Sequence, residues 1–123
     1  MEAILSFVLC CALPPAEVPF WRTDYNAAVQ ECEKSSGRIC VFIGAKWCTA
    51  CPVAKKRCEA FLEQHPEIMP VYVDYDKDLA WCRNQMSATV LPFIVTYDWK
   101  RRLRGTLVGT PKPGELEKLL ERK

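Results

Sequence analysis

The sequence predicts an α/β domain in which a mixed β-sheet is covered by helices on both faces. Three observations carry that prediction. Segments with helical and strand-like apolar spacing alternate along the chain. The run "RICVFIGA" (38–45) is a continuous apolar stretch rich in β-branched residues, the kind of strand that needs cover on both faces. The last two strand-like segments are separated only by the polar stretch "DWKR" (98–101), a hairpin by length and composition.

The elements follow in order. Residues 13–20, "LPPAEVPF", hold three prolines and read as an extended connector. From Thr23, taken as the N-cap, Tyr25, Ala28, Val29 and Cys32 recur at helical spacing, and Gly37 supplies the stop. The strand 38–45 comes next and ends at Gly44. After it stand Cys48 and Cys51, and Pro52 opens a helix with the stripe Ala54, Cys58, Phe61 and Leu62, ended by "HP" at 65–66. "MPVYVDYD" (69–76) reads as a strand, and "KDLAWCRNQM" (77–86) as a short helix with Leu79, Cys82 and Met86 on one side. "LPFIVTYD" and "RLRGTLVG" are the hairpin strands, and "KPGELEKLLERK" closes the chain as a helix with Leu116, Leu119 and Leu120 facing inward. There is no internal repeat and no low-complexity segment.

At 123 residues, half of them apolar or aromatic, the chain accommodates one core and no second domain. Residues 1–19 are read as an N-terminal apolar segment plus connector, and 20–123 as the domain. The run "MEAILSFVLCCA" is too short for an ordinary membrane-spanning helix. Its length suits the apolar region of a secretory signal, but Glu2 is the only charge ahead of it. The other reading is that "AILSFVL" is an edge strand of the sheet. The signal-like character favours an extracytoplasmic location over a cytoplasmic one.

A formal charge of +2 without interleaved aromatic and basic residues gives no nucleic-acid surface. The one basic cluster, Lys100, Arg101, Arg102 and Arg104, reads as a solvated turn, with a docking patch for an acidic partner as the alternative. No glycine-rich phosphate loop or nucleotide-binding fingerprint occurs.

Eight cysteines fall at positions 10, 11, 32, 40, 48, 51, 58 and 82. Only Cys48 and Cys51 stand in a motif with a mechanism; Cys32, Cys40 and Cys58 are expected to face the core as small hydrophobes. Cys58 and Cys82 are a candidate second pair if the chain is exported, although connectivity does not follow from spacing. A thiolate is the attacking species in disulfide exchange. Cys48, at the boundary between an apolar strand and a helix N-terminus, has its ionised form favoured by unpaired N–H groups and the helix dipole. Cys51, expected one turn into the helix, is placed to attack a mixed disulfide at Cys48. A structural zinc site would need four ligands; no second C-x-x-C exists, and the one histidine, His65, precedes a proline at a helix end. Cu(I) on the two thiolates is chemically allowed without specific support.

The series "VFIGAKWCTACPVAKK", the later "VLPFIVTYD" and the closing "LVGTPKPGELEKLL" resemble the thioredoxin family over residues 22–121. The resemblance implies a thioredoxin fold in which Pro92 is cis and the Leu91 backbone faces the cysteines to pair with an extended substrate, while Trp47 stands beside the nucleophile. It implies Cys48 and Cys51 as catalytic residues and Trp47, Leu91 and Pro92 as substrate-binding ones. Three positions depart from the family pattern. Thioredoxins carry a buried aspartate six residues before the first cysteine, where this chain has Phe42. Thr49 and Ala50 stand between the cysteines. If residues 1–12 are a signal, the first strand is missing or shortened.

The expected function is a thiol–disulfide oxidoreductase of the protein-disulfide reductase type, monomeric and without a bound cofactor. Its partners would be protein thiol or disulfide substrates and a protein electron donor or acceptor; it would meet a membrane only through the N-terminal signal. A binding module that holds a partner protein or a soft metal such as Cu(I) without turnover is the alternative, favoured by the missing acid at Phe42.

Overall fold

The structure, a computed structural model, describes residues 20–112 and 114–121. The N-terminal segment read as a signal or an edge strand, with Cys10 and Cys11, lies outside the described residues.

Helix α1 (Tyr25–Ser35) is followed by strand β1 (Arg38–Gly44), helix α2 (Cys51–Leu62), strand β2 (Ile68–Asp74), helix α3 (Leu79–Asn84), strands β3 (Phe93–Tyr97) and β4 (Leu103–Val108), and helix α4 (Glu115–Glu121). The strands form one mixed sheet in the order β2-β1-β3-β4. β1 pairs parallel with β2 and antiparallel with β3, and β3 pairs antiparallel with β4. The expected hairpin is present, with a register shift between Thr96 and Tyr97. A further parallel bridge joins Arg22 to Val71, so among the described residues the strand ahead of α1 amounts to a single bridge on the outer edge of β2.

β1 is central, and all of its residues after Arg38 are buried, which explains the unbroken apolar run. Its side chains alternate between two cores. Ile39, Val41 and Ile43 point to one core with Ala28, Val29 and Cys32 of α1 and Cys82 of α3. Cys40 and Phe42 point to the other, with Ala54, Cys58 and Leu62 of α2, Leu116, Leu119 and Leu120 of α4, and Trp21. Helices therefore cover both faces, as the pattern predicts.

Local details differ from the sequence expectations. The N-cap of α1 is Asp24 rather than Thr23: its carboxylate accepts from the Ala27 N–H at 3.1 Å. The left-handed stop residue is Ser36 (φ 55°), not Gly37. Gly37 serves a close approach instead, because a Cβ there would lie 2.7 Å from the Glu67 carbonyl oxygen. Leu79, expected on the same side of the helix as Cys82 and Met86, is 40% exposed at the first turn of α3, whereas Cys82 and Met86 are buried. Cys58 and Cys82 belong to cores on opposite faces of the sheet, and both are free and buried, so they do not pair. Cys32 and Cys40 are also free and buried, in the role of small hydrophobes.

Candidate active site

Cys48 and Cys51 sit where β1 hands over to α2. β1 ends at Gly44, where a Cβ would come within 3.0 Å of the Phe42 ring and 3.2 Å of the Tyr72 hydroxyl. The chain then turns sharply: the Cys48 N–H donates to the Ala45 carbonyl at 3.1 Å and the Cys51 N–H to the Cys48 carbonyl at 3.3 Å. Cys51 is the first residue of α2, not one turn into it as expected, and Pro52 follows in the first turn, where its missing N–H costs nothing.

The two cysteines form a disulfide, with Cα atoms 5.4 Å apart. Cys48 is 8% and Cys51 5% exposed, so both sulfur-bearing residues lie at the rim of the α2-side core rather than free in solvent. No side chain caps α2, and its first turn holds no acidic residue. The unpaired N–H groups and positive end of the helix dipole thus face this loop, the environment that favours a thiolate.

Trp47 is 61% exposed, but its orientation is fixed. Its indole N–H donates to both carboxylate oxygens of Asp76, at 3.0 and 2.9 Å, and its ring meets Tyr75 edge-on. Asp76 escaped the sequence reading; the one signal for it is its place just past β2, at the same end of the sheet as the cysteines.

The Leu91–Pro92 peptide bond is cis. Pro92 is fully buried, its carbonyl accepts from the Gly109 N–H at 2.8 Å, and Leu91 packs half-buried against the cluster containing Cys48 and Cys51. Exposed Trp47, Val53 and Val90 add an apolar surface at this end of the sheet. The residues singled out by sequence therefore converge on one loop cluster.

Phe42 is buried at the position where the resemblance expects an aspartate. It stacks on Tyr72, its register partner on β2, at 6.0 Å between ring centroids, and Trp21 packs against both rings. The Lys55 ammonium lies 4.3 Å from the Tyr72 ring centroid. Deeper in this core, burial pushes the Cys58 thiol up to about 12 and holds Cys40 well above the ordinary thiol range, so neither offers a thiolate near neutral pH. Among the described residues no group of three or more His, Cys, Asp or Glu side chains could hold a metal ion.

The basic cluster lies away from this site, with Lys100, Arg101 and Arg102 in the β3–β4 turn and Arg104 on β4. Arg102 pairs with Asp98 at 2.8 Å, Arg101 approaches Glu33 at 3.6 Å, and Lys100 lies over the Trp99 ring, the pattern of a solvated turn.

No family model and no curated protein matches the sequence. Solved structures do match. The thioredoxin of Fasciola hepatica is similar with a TM-score of 0.68 and 21% identity, over 80% of this chain and 90% of that one. Mitochondrial thioredoxin 3 of Saccharomyces cerevisiae, in its oxidised form, gives 0.65 and 20% over 79% and 88%. A chain from the complex of ferredoxin:thioredoxin reductase with thioredoxin f2 gives 0.65 and 13% over 81% and 87%. The chain has the thioredoxin fold.

Proposed function

We propose that this chain is a thioredoxin-family thiol–disulfide oxidoreductase that reduces or exchanges protein disulfides through the Cys48–Cys51 couple. The observation that carries the reading is the disulfide between Cys48 and Cys51 at the N-terminus of α2. Cys48, ahead of the helix, is the nucleophile: its thiolate attacks a substrate disulfide and forms a mixed disulfide. Cys51 then attacks the Cys48 sulfur, closes the internal disulfide and releases the second substrate sulfur as a thiol. The substrate disulfide gains two electrons and the cysteine pair loses two.

Trp47, Leu91 and Pro92 shape the groove for an extended substrate segment, with Trp47 held by Asp76 as one wall. The similarity to a chain from a reductase–thioredoxin complex supports protein partners as source and destination of the electrons. Cys48→Ser tests the assignment. It abolishes insulin disulfide reduction if Cys48 is the nucleophile, and unchanged reduction would remove Cys48 from that role.

A further inference from the structure

If Cys51 resolves a mixed disulfide, its thiol must first lose a proton, yet a phenylalanine stands where a buried carboxylate would assist. Phe42, Tyr72 and Trp21 fill that space with aromatic rings. The cation at this apolar cluster is Lys55, whose ammonium lies 4.3 Å from the Tyr72 centroid and 5.8 Å from the Trp21 centroid.

Lys55 is four residues beyond Cys51 on α2, one turn along the same side of the helix. Side chains on a helix lean toward its N-terminus, so the Lys55 stem runs back over the turn that holds Cys51. Its resting place agrees with that direction. The Tyr72 ring that receives the ammonium carries a hydroxyl 3.2 Å from the position a Gly44 Cβ would occupy, at the end of β1 that leads into the cysteine loop.

We propose that Lys55 is a positioning residue that favours the Cys51 thiolate by its charge, in place of the absent carboxylate base. The proposal rests on the redox reading above for its role in turnover. Cys51 gives its proton to water, and the thiolate, stabilised by the charge of a lysine one turn along α2, attacks the Cys48 sulfur. The bond between Cys48 and the substrate sulfur breaks, the Cys48–Cys51 bond forms, and the departing substrate thiolate takes a proton from water. The cation–π contacts hold the long Lys55 side chain in place, so its charge acts from one position.

The other titratable or charged groups around this core are Arg38 and Cys40 on β1, Cys58 and Glu59 on α2, Tyr72, Asp74 and Asp76 on and after β2, and Glu117 on α4. Glu59 is engaged by the Trp21 indole N–H. Burial raises Tyr72, Cys40 and Cys58, which keeps all three protonated through the neutral range.

The test is site-resolved alkylation of Cys51 by iodoacetamide in the reduced full-length Cys48→Ser protein, followed by mass spectrometry from about pH 6 to about pH 10. Lys55→Met moves the midpoint of the rate up by about one pH unit, roughly a tenfold loss of thiolate below the midpoint. Lys55→Arg keeps the midpoint near its original position. Lys56→Met removes the same charge from the exposed neighbouring position and leaves the midpoint unchanged. Lys55→Gln is a second neutral variant, which should reproduce the methionine shift if charge rather than packing is responsible. Equal shifts from the Lys55 and Lys56 variants, or none from either, overturn the proposal. The readout is independent of turnover: a pair that forms no reversible disulfide in glutathione buffers defeats the redox reading and leaves this midpoint measurable.

Discussion

The Trp47 indole N–H is shared between the two carboxylate oxygens of Asp76, at 3.0 and 2.9 Å, which ties the residue before Cys48 to the loop after β2. An exposed tryptophan would otherwise sample several rotamers and could not serve as a fixed wall. Asp76→Ala is expected to raise KM for a protein disulfide several-fold while kcat changes little, the signature of lost ground-state binding. The folded state should lose no more than about 1 kcal/mol, because the bond is exposed to water. Steady-state kinetics and urea denaturation check both; a fall in kcat at constant KM would place Asp76 in the chemistry instead.

Cys51→Ser should arrest the reaction at its midpoint. A variant with Cys48 intact and no resolving thiol retains the first attack, so treatment with an aromatic disulfide reagent leaves a stable adduct on Cys48, visible as a mass increase and slow to release. Equally fast release in the variant would mean that another group resolves the adduct.

Phe42 stabilises the fold as well as excluding an acid. It is buried between Tyr72 and Trp21, so Phe42→Ala leaves a cavity and should cost about 3–5 kcal/mol. Urea denaturation with an unchanged m-value reads this directly. A loss under about 1 kcal/mol would mean that the aromatic cluster collapses to fill the space.

Alkaline pH should weaken the fold through the buried thiols. An unfolded cysteine ionises near its ordinary value, whereas burial pushes Cys58 up to about 12 and Cys40 in the same direction. Between those values the unfolded chain binds fewer protons than the folded one, so stability is intact below about pH 9 and falls as pH rises toward 12. The slope approaches about 1.4 kcal/mol per pH unit for each thiol, an order-of-magnitude figure. Denaturation of the reduced protein at about pH 8 and pH 10.5 measures it, and Cys58→Ala should flatten the dependence.

The elements were legible where one strong local signal governs them. The apolar run of β1 announced a strand covered on both faces, and Pro52 after the cysteine pair announced the start of α2. Boundaries decided by competing neighbours were less legible. Thr23 and Asp24 are both good caps, and only the geometry of the Ala27 N–H separates them. Leu79 has the right spacing for an inward position, but α3 is six residues long and its first turn stays open to solvent. Within the site, Cys48, Cys51, Trp47 and Pro92 are marked by a compact motif and a distant proline. Asp76, Tyr72 and Lys55 carry no motif, because their contacts arise from the parallel pairing of β1 with β2 and from the turn of α2 that lies over it.

The central claim is that Cys48 and Cys51 form a working redox couple. Equilibration of the purified protein in graded glutathione buffers, with the state of the Cys48–Cys51 peptide read by alkylation and mass spectrometry, tests it most directly. A reversible disulfide with a potential between about −270 and −120 mV is the predicted result, and its place in that range separates a reductant from an oxidant. A pair that stays reduced under conditions that oxidise a control dithiol would contradict the claim and leave the fold as a binding module.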